Sequence, residues 1–160
     1  MLRLTKLTDY ALITVAELAR CHGSAVRAAA LADNLQLPEP TVRKVLKVLT
    51  KGGICQSLRG AGGGYRLAES PADISVAAVV ALFEGPVAVT ACHGSAGSCV
   101  REAYCSLRPH LNGISAVLRN ALETIPISLL LQDGSLRRVF PRAALPMATQ
   151  RDGEMENGYG

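Results

Sequence analysis

Three cysteines stand within 14 residues, spaced Cys92-x6-Cys99-x5-Cys105, in a stretch rich in Gly, Ser and Ala that follows no helical or strand period. Such a segment is long enough to fold back on itself, so three thiolates can converge on one metal centre and leave a fourth position to another donor. Zinc sites prefer tight Cys-x2-Cys knuckles, and neither interval has that spacing. Iron–sulfur clusters accept wider intervals, and their soft iron and sulfide suit thiolate ligands. Spacing alone leaves three readings open: a cluster, zinc, or redox-active thiols. The other two cysteines, Cys21 and Cys55, fall inside apolar patterns and read as small buried core residues.

The second chemistry is charge. Residues 1–70 hold ten basic and five acidic side chains, residues 71–125 three and four, and residues 126–160 four of each, so the net +4 is concentrated at the front of the chain. Local positive charge points to an anionic partner, of which nucleic acid is the commonest. No nucleophile and base stand at motif spacing, which makes an enzyme the least expected class. At 49% hydrophobic and 19% charged, the 160 residues are too apolar for a disordered chain. The longest apolar run, Val76 to Phe83, is far short of a membrane span, so a soluble, folded protein without a membrane partner is expected. Lys6 and Asp9 interrupt the first apolar stretch before it reaches the length of an export signal, which places the protein in the cytoplasm, where a disulfide framework is not expected.

These residues need elements to position them. Thr8 to Cys21 reads as a helix capped by Thr8, with Asp9 near the positive end of the dipole and Leu12, Val15, Ala16 and Leu18 inward. A short helix is predicted from about Val26 to Asn34, then a turn at Leu35-Gln36-Leu37. Pro38 and Pro40 fit the start of a third helix that runs to about Lys51. In that helix Val42, Val45, Leu46 and Leu49 form one stripe, and Arg43, Lys44, Lys47 and Lys51 occupy the other side with no acid from Thr41 onward.

The pattern is a helix-turn-helix, with Ala32 small enough for close packing and Gln36 a candidate for the left-handed turn position. Two short strands, Ile54 to Arg59 and Tyr65 to Leu67, flank Gly60-Ala61-Gly62-Gly63-Gly64 and make a hairpin wing. The Gly-Lys-Ser/Thr ending of a phosphate-cradling loop is missing from that tip. Residues 74–84 form another apolar helix closed by Gly85-Pro86. From about Ser106 to Ile125 a longer helix carries Leu107, Leu111, Ile114, Leu118, Ala121 or Leu122, and Ile125 as a seam suited to a partner helix. Pro109 falls in its first turn, Pro126 closes it, and Ile127 to Leu131 adds one short helical turn.

The fold class expected is mainly α: a winged helix-turn-helix DNA-binding domain with a β-hairpin wing, over residues 1–84, plus a long dimerisation helix. A cysteine-containing loop spans 85–105, the dimerisation helix and a short extension 106–132, and a flexible tail 133–160.

The opening Leu4-Thr5-Lys6-Leu7-Thr8-Asp9-Tyr10-Ala11, the helix Pro40-Thr41-Val42-Arg43-Lys44-Val45-Leu46, the wing Arg59-Gly60-Ala61-Gly62-Gly63-Gly64-Tyr65-Arg66-Leu67 and the three later cysteines together resemble the bacterial winged-helix iron–sulfur transcriptional regulators. These include the isc-operon repressor, the nitric-oxide-responsive repressor and the suf-operon regulators. The resemblance covers about residues 1–126. It implies a homodimer on double-stranded DNA, a recognition helix in the major groove, and Cys92, Cys99 and Cys105 as ligands of an iron–sulfur cluster, [2Fe-2S] or [4Fe-4S].

The isc-type repressors place a histidine three positions after the last cysteine, where this chain has Arg108, whose protonated guanidinium has no lone pair to offer. In the nitric-oxide-responsive branch an aspartate near the start of the first helix of the other subunit completes the site, and Asp9 matches it. His110 and His93 are nearby alternatives. For DNA contact, Thr41, Arg43 and Lys44 are best placed for base edges, Lys47 and Lys51 for phosphates, and Arg59 for the minor groove. The expected function is a repressor that senses iron, oxidant or cluster status and controls iron–sulfur cluster assembly genes. A nitric-oxide-responsive repressor is the nearest rival, and a zinc-stabilised protein-interaction module is the rival of another class.

Overall fold

The computed structural model describes residues 4–21, 23–60, 62–87 and 105–132. Its elements in chain order are α1 (Lys6–Arg20), α2 (Ala28–Leu35), α3 (Glu39–Lys51), β1 (Cys55–Leu58), β2 (Gly64–Leu67), α4 (Val76–Glu84), α5 (Arg108–Glu123) and α6 (Ile127–Leu130). Cys92, His93, Cys99 and the tail expected at 133–160 lie outside the described residues.

One apolar core joins these elements. Leu18 and Val15 of α1, Leu31 of α2, Val42, Val45, Leu46 and Leu49 of α3, Val79 and Val80 of α4, and Ile125 and Ile127 flanking Pro126 are all buried in it. The α3 stripe at i, i+3, i+4 and i+7 is therefore buried as its periodicity predicts, which leaves the cationic side of that helix in solvent. The segment after α5 is tied in through its backbone: Val76 donates to Ile125 and Ile127 donates to Ile74, both at 2.8 Å.

The turn between α2 and α3 closes as the sequence implies. Gln36 is the one described non-glycine residue with positive φ, at 52°, and its N–H and that of Leu37 return to the Asp33 and Ala32 carbonyls at 3.2 and 3.0 Å. Pro38 then caps α3, its carbonyl accepting from Thr41 and Val42.

Three local expectations are corrected. The first helix starts at Lys6, not Thr8, because Thr5 is the extended cap whose hydroxyl accepts from the Thr8 N–H, while Thr8 itself is fully buried and donates its hydroxyl to Glu84. The second helix starts at Ala28, because Val26 is extended and exchanges two 2.8 Å backbone hydrogen bonds with Tyr65. Val26 thus adds a third, single-residue rung to the antiparallel wing, whose register pairs Cys55 with Leu67 and Leu58 with Gly64. A side chain at Gly64 would come within 2.6 Å of the Val26 carbonyl oxygen, so only glycine permits that approach.

The third correction concerns the seam on the long helix. It divides along its length: Leu118 and Leu122 pack against the core and Ile125 is buried in it, whereas Leu107 and Ile114 stay exposed, as does Val117, which the seam did not include. The reason is geometric: Leu118, Leu122 and Ile125 belong to the later part of the seam, which packs on the core, while Leu107 and Ile114 lie one or more turns earlier and Val117 is rotated about 100° from Leu118. Cys21 is half-buried at the end of α1 rather than buried, and Cys55 is buried as expected.

Candidate nucleic-acid interface and cysteine segment

The exposed side of α3 carries Arg43, Lys44 and Lys47, with Lys51 in its last turn and Thr41 half-buried in its first. The fixed register of the four buried residues forces these side chains outward, because on a helix the positions between the buried stripe have nowhere else to point. Arg43 differs from the three lysines. Its guanidinium is held by Glu39 one turn earlier, Nε donating to Oε1 at 2.8 Å, with side chains 61% and 39% exposed. Among the described residues Lys44, Lys47 and Lys51 have no acidic partner.

The wing adds further cations. Arg59 is exposed just past β1, and Arg66 on β2 is exposed and donates to the Gln56 side chain across the hairpin at 3.4 Å. Reasoning from sequence missed Arg66, Gln56 and Glu39. Alternation along a two-stranded hairpin would have marked Arg66 and Gln56 as one outward pair, and the i, i+4 spacing would have marked Glu39 with Arg43. The structure brings Arg43, Lys44 and Lys47 onto one helix face and places Arg59 on a separate element.

Of the cysteine triplet only Cys105 is described. It is a free, half-buried thiol three residues before the start of α5, and its carbonyl accepts from the Arg108 N–H at 3.3 Å. Asp9 is exposed on the first turn of α1, pointing away from the core, and His110 is exposed on α5. Among the described residues no three His, Cys, Asp or Glu side chains gather around one point. The described donors are of types an iron–sulfur cluster accepts: a thiol free of any disulfide at Cys105 and an exposed carboxylate at Asp9.

The cysteine segment begins where α4 ends, and that end is anchored to the start of α1. Glu84, the last residue of α4, accepts from the Thr8 hydroxyl and from the Thr5 backbone N–H at 2.8 Å, and the two threonine hydroxyls share a hydrogen bond of 2.9 Å. Donation from the Thr8 hydroxyl, then from the Thr5 N–H, holds the Glu84 carboxyl below the usual carboxylate range. The carboxylate also sits at the N-terminus of α1, where the helix dipole favours negative charge.

With this geometry in place, the similarity to known proteins is specific. The chain is similar to the HTH-type transcriptional regulator IscR of Photobacterium profundum, 28% identical over 142 residues that make up 88% of this chain and 82% of the relative. Among solved structures it is similar to CymR, the global cysteine regulator of B. subtilis, with a TM-score of 0.68 and 25% identity over 82% of this chain and 97% of that one. It is also similar to T. potens IscR, with a TM-score of 0.64 and 25% identity over 82% of this chain and 88% of that one. The relatives are named as transcriptional regulators rather than enzymes, and no described helix is long and apolar enough to cross a membrane. Residues 4–133 match the family described as Rrf2, iron-dependent transcriptional regulator, and the chain belongs to that family of winged helix-turn-helix regulators.

Proposed function

We propose that this protein is a cytoplasmic, homodimeric repressor that binds operator DNA through α3 and the wing and takes its signal from an iron–sulfur cluster held by Cys92, Cys99 and Cys105. One observation carries the DNA half: α3 buries one stripe completely and turns Arg43, Lys44 and Lys47 outward, the arrangement a major-groove helix needs. Thr41, Arg43 and Lys44 meet base edges, Lys47 and Lys51 meet phosphates, and Arg59 reaches the minor groove. The exposed Leu107, Ile114 and Val117 face of α5 pairs the two subunits.

The cluster half rests on the donor set, since the fold alone does not imply it: the same scaffold serves a protein named a global cysteine regulator. When bound, the cluster supplies a centre whose integrity depends on iron and oxidants. The chain's own residues relay that state. Asp9 of one subunit, exposed on α1, would be the fourth donor to the cysteines of the other, and that shared ligation would tie α1 of each subunit to the cysteine segment of its partner and set the spacing of the two α3 helices. The regulated genes we propose are those of iron–sulfur cluster assembly. A nitric-oxide signal is the second reading, favoured by Arg108 at the position where isc-type repressors carry a histidine and by the outward exposure of Asp9.

Anaerobic purification followed by a visible spectrum and assay of iron, sulfide and zinc tests the cluster directly. Coloured protein with matching iron and sulfide, lost in Cys92→Ala, Cys99→Ala and Cys105→Ala, is the expected result. Colourless protein carrying zinc, with DNA binding indifferent to salt, reverses the choice in favour of a protein-interaction module.

A further inference from the structure

We propose that Glu39 determines the sequence specificity of α3 by converting Arg43 from a phosphate-binding cation into a fixed, base-reading fork. This inference rests on the reading that α3 enters the major groove.

A helix face bearing only cations binds DNA of any sequence, because phosphates are present at every step and their contacts carry no sequence information. Selectivity requires that at least one side chain be aimed at base edges. Among the described residues Arg43 is the one cation of this face with an acidic partner, and it is the one whose planar guanidinium can present two parallel donors to a guanine. Glu39 contacts Nε and one terminal nitrogen, which leaves the other terminal N–H groups free to project and biases the arginine toward that rotamer. Both residues lie in the first turns of α3, the part of a recognition helix that meets base edges.

The carboxylate also works against the wrong ligand. Near a phosphate it repels, while in the groove it accepts from a cytosine amino group. An exposed i, i+4 ion pair adds little to helix stability, so stability is a weak reason for an acid on this otherwise cationic surface.

The test compares wild type, Glu39→Gln, Arg43→Ala and the double variant on a pool of duplexes with a randomised core, and on one fixed random-sequence duplex across a salt series. Glutamine keeps the length of the side chain and an acceptor oxygen but removes the charge, which weakens the hold on Arg43 without disturbing the fold, as a thermal melt confirms. The expected result is that wild type selects a guanine at one position of each half-site and that Glu39→Gln loses that preference. On the random duplex Glu39→Gln binds more tightly, and its log–log salt slope steepens by about 0.9 as Arg43 joins the phosphate contacts. The double variant should match Arg43→Ala alone, since Glu39 acts through Arg43. Retention of the same base preference by Glu39→Gln overturns the inference whatever the slope does. A wild type that binds no duplex in a salt-dependent way overturns the DNA reading itself, and the inference with it.

Discussion

Burial of Cys55 at the root of the wing pushes its thiol up to about 12, because desolvation penalises the thiolate. The thiolate is the reactive form, so Cys55 stays inert at any ordinary pH and takes no part in metal binding or redox chemistry. A thiol-reactive dye at pH 8 should therefore count the same number of fast thiols in native wild type and native Cys55→Ala, and one fewer in the variant only after denaturation. Fast native labelling of Cys55 would contradict its burial. Cys21 and Cys105 are both half-buried. At this scale the cysteine types and spacing already separate Cys55 from the triplet, since an apolar neighbourhood and a Gly/Ser-rich one are visible in the chain itself.

Among the elements, the junction of α4 with α1 has the clearest solution signature. The bound form of Glu84 is the carboxylate, so its folded pKa lies below the unfolded one. Its contribution to stability is fully present above the unfolded value, about 4.3, and is lost as pH falls through the folded value. Thermal melts of wild type and Glu84→Gln should differ at pH 6–7, with wild type the more stable, and the gap should narrow as pH falls below the unfolded value and close once the folded carboxyl is protonated too. A gap that stays constant down to pH 3 would show that the carboxylate charge is irrelevant to the junction. The same junction explains why sequence pattern misplaces the start of α1: Thr5 and Thr8 are equally good caps by type, and the choice falls to Thr5 because Glu84, 76 residues away from Thr8, claims the Thr8 hydroxyl.

For the molecule as a whole, the proposed dimer depends on the outward face of α5. Ile114 and Val117 are 50% and 68% exposed, more than expected for large aliphatic side chains on a helix that has a core to pack against. Replacing both with glutamate should shift the protein from dimer to monomer in sedimentation. The melting behaviour of the winged domain should change little, because neither residue belongs to the core. Sedimentation of the variant as a dimer would place the subunit contact elsewhere. Leu118 and Leu122, by contrast, are committed to their own chain, so the same substitution there is expected to unfold the protein rather than dissociate it.

Local pattern was enough to locate every helix of the described residues, the left-handed turn at Gln36, the wing and the cationic face of α3, because periodicity, capping types and glycine placement act over a few residues. What only the folded chain decided were contacts between distant segments. Val26 left its helix to pair with Tyr65, Thr8 was drawn to Glu84, and the apolar residues of α5 were sorted into an inward and an outward set by the position of α4. Each of those choices set two locally acceptable arrangements against one another, and each was settled by burial or by a hydrogen bond whose second partner no window of the sequence contains.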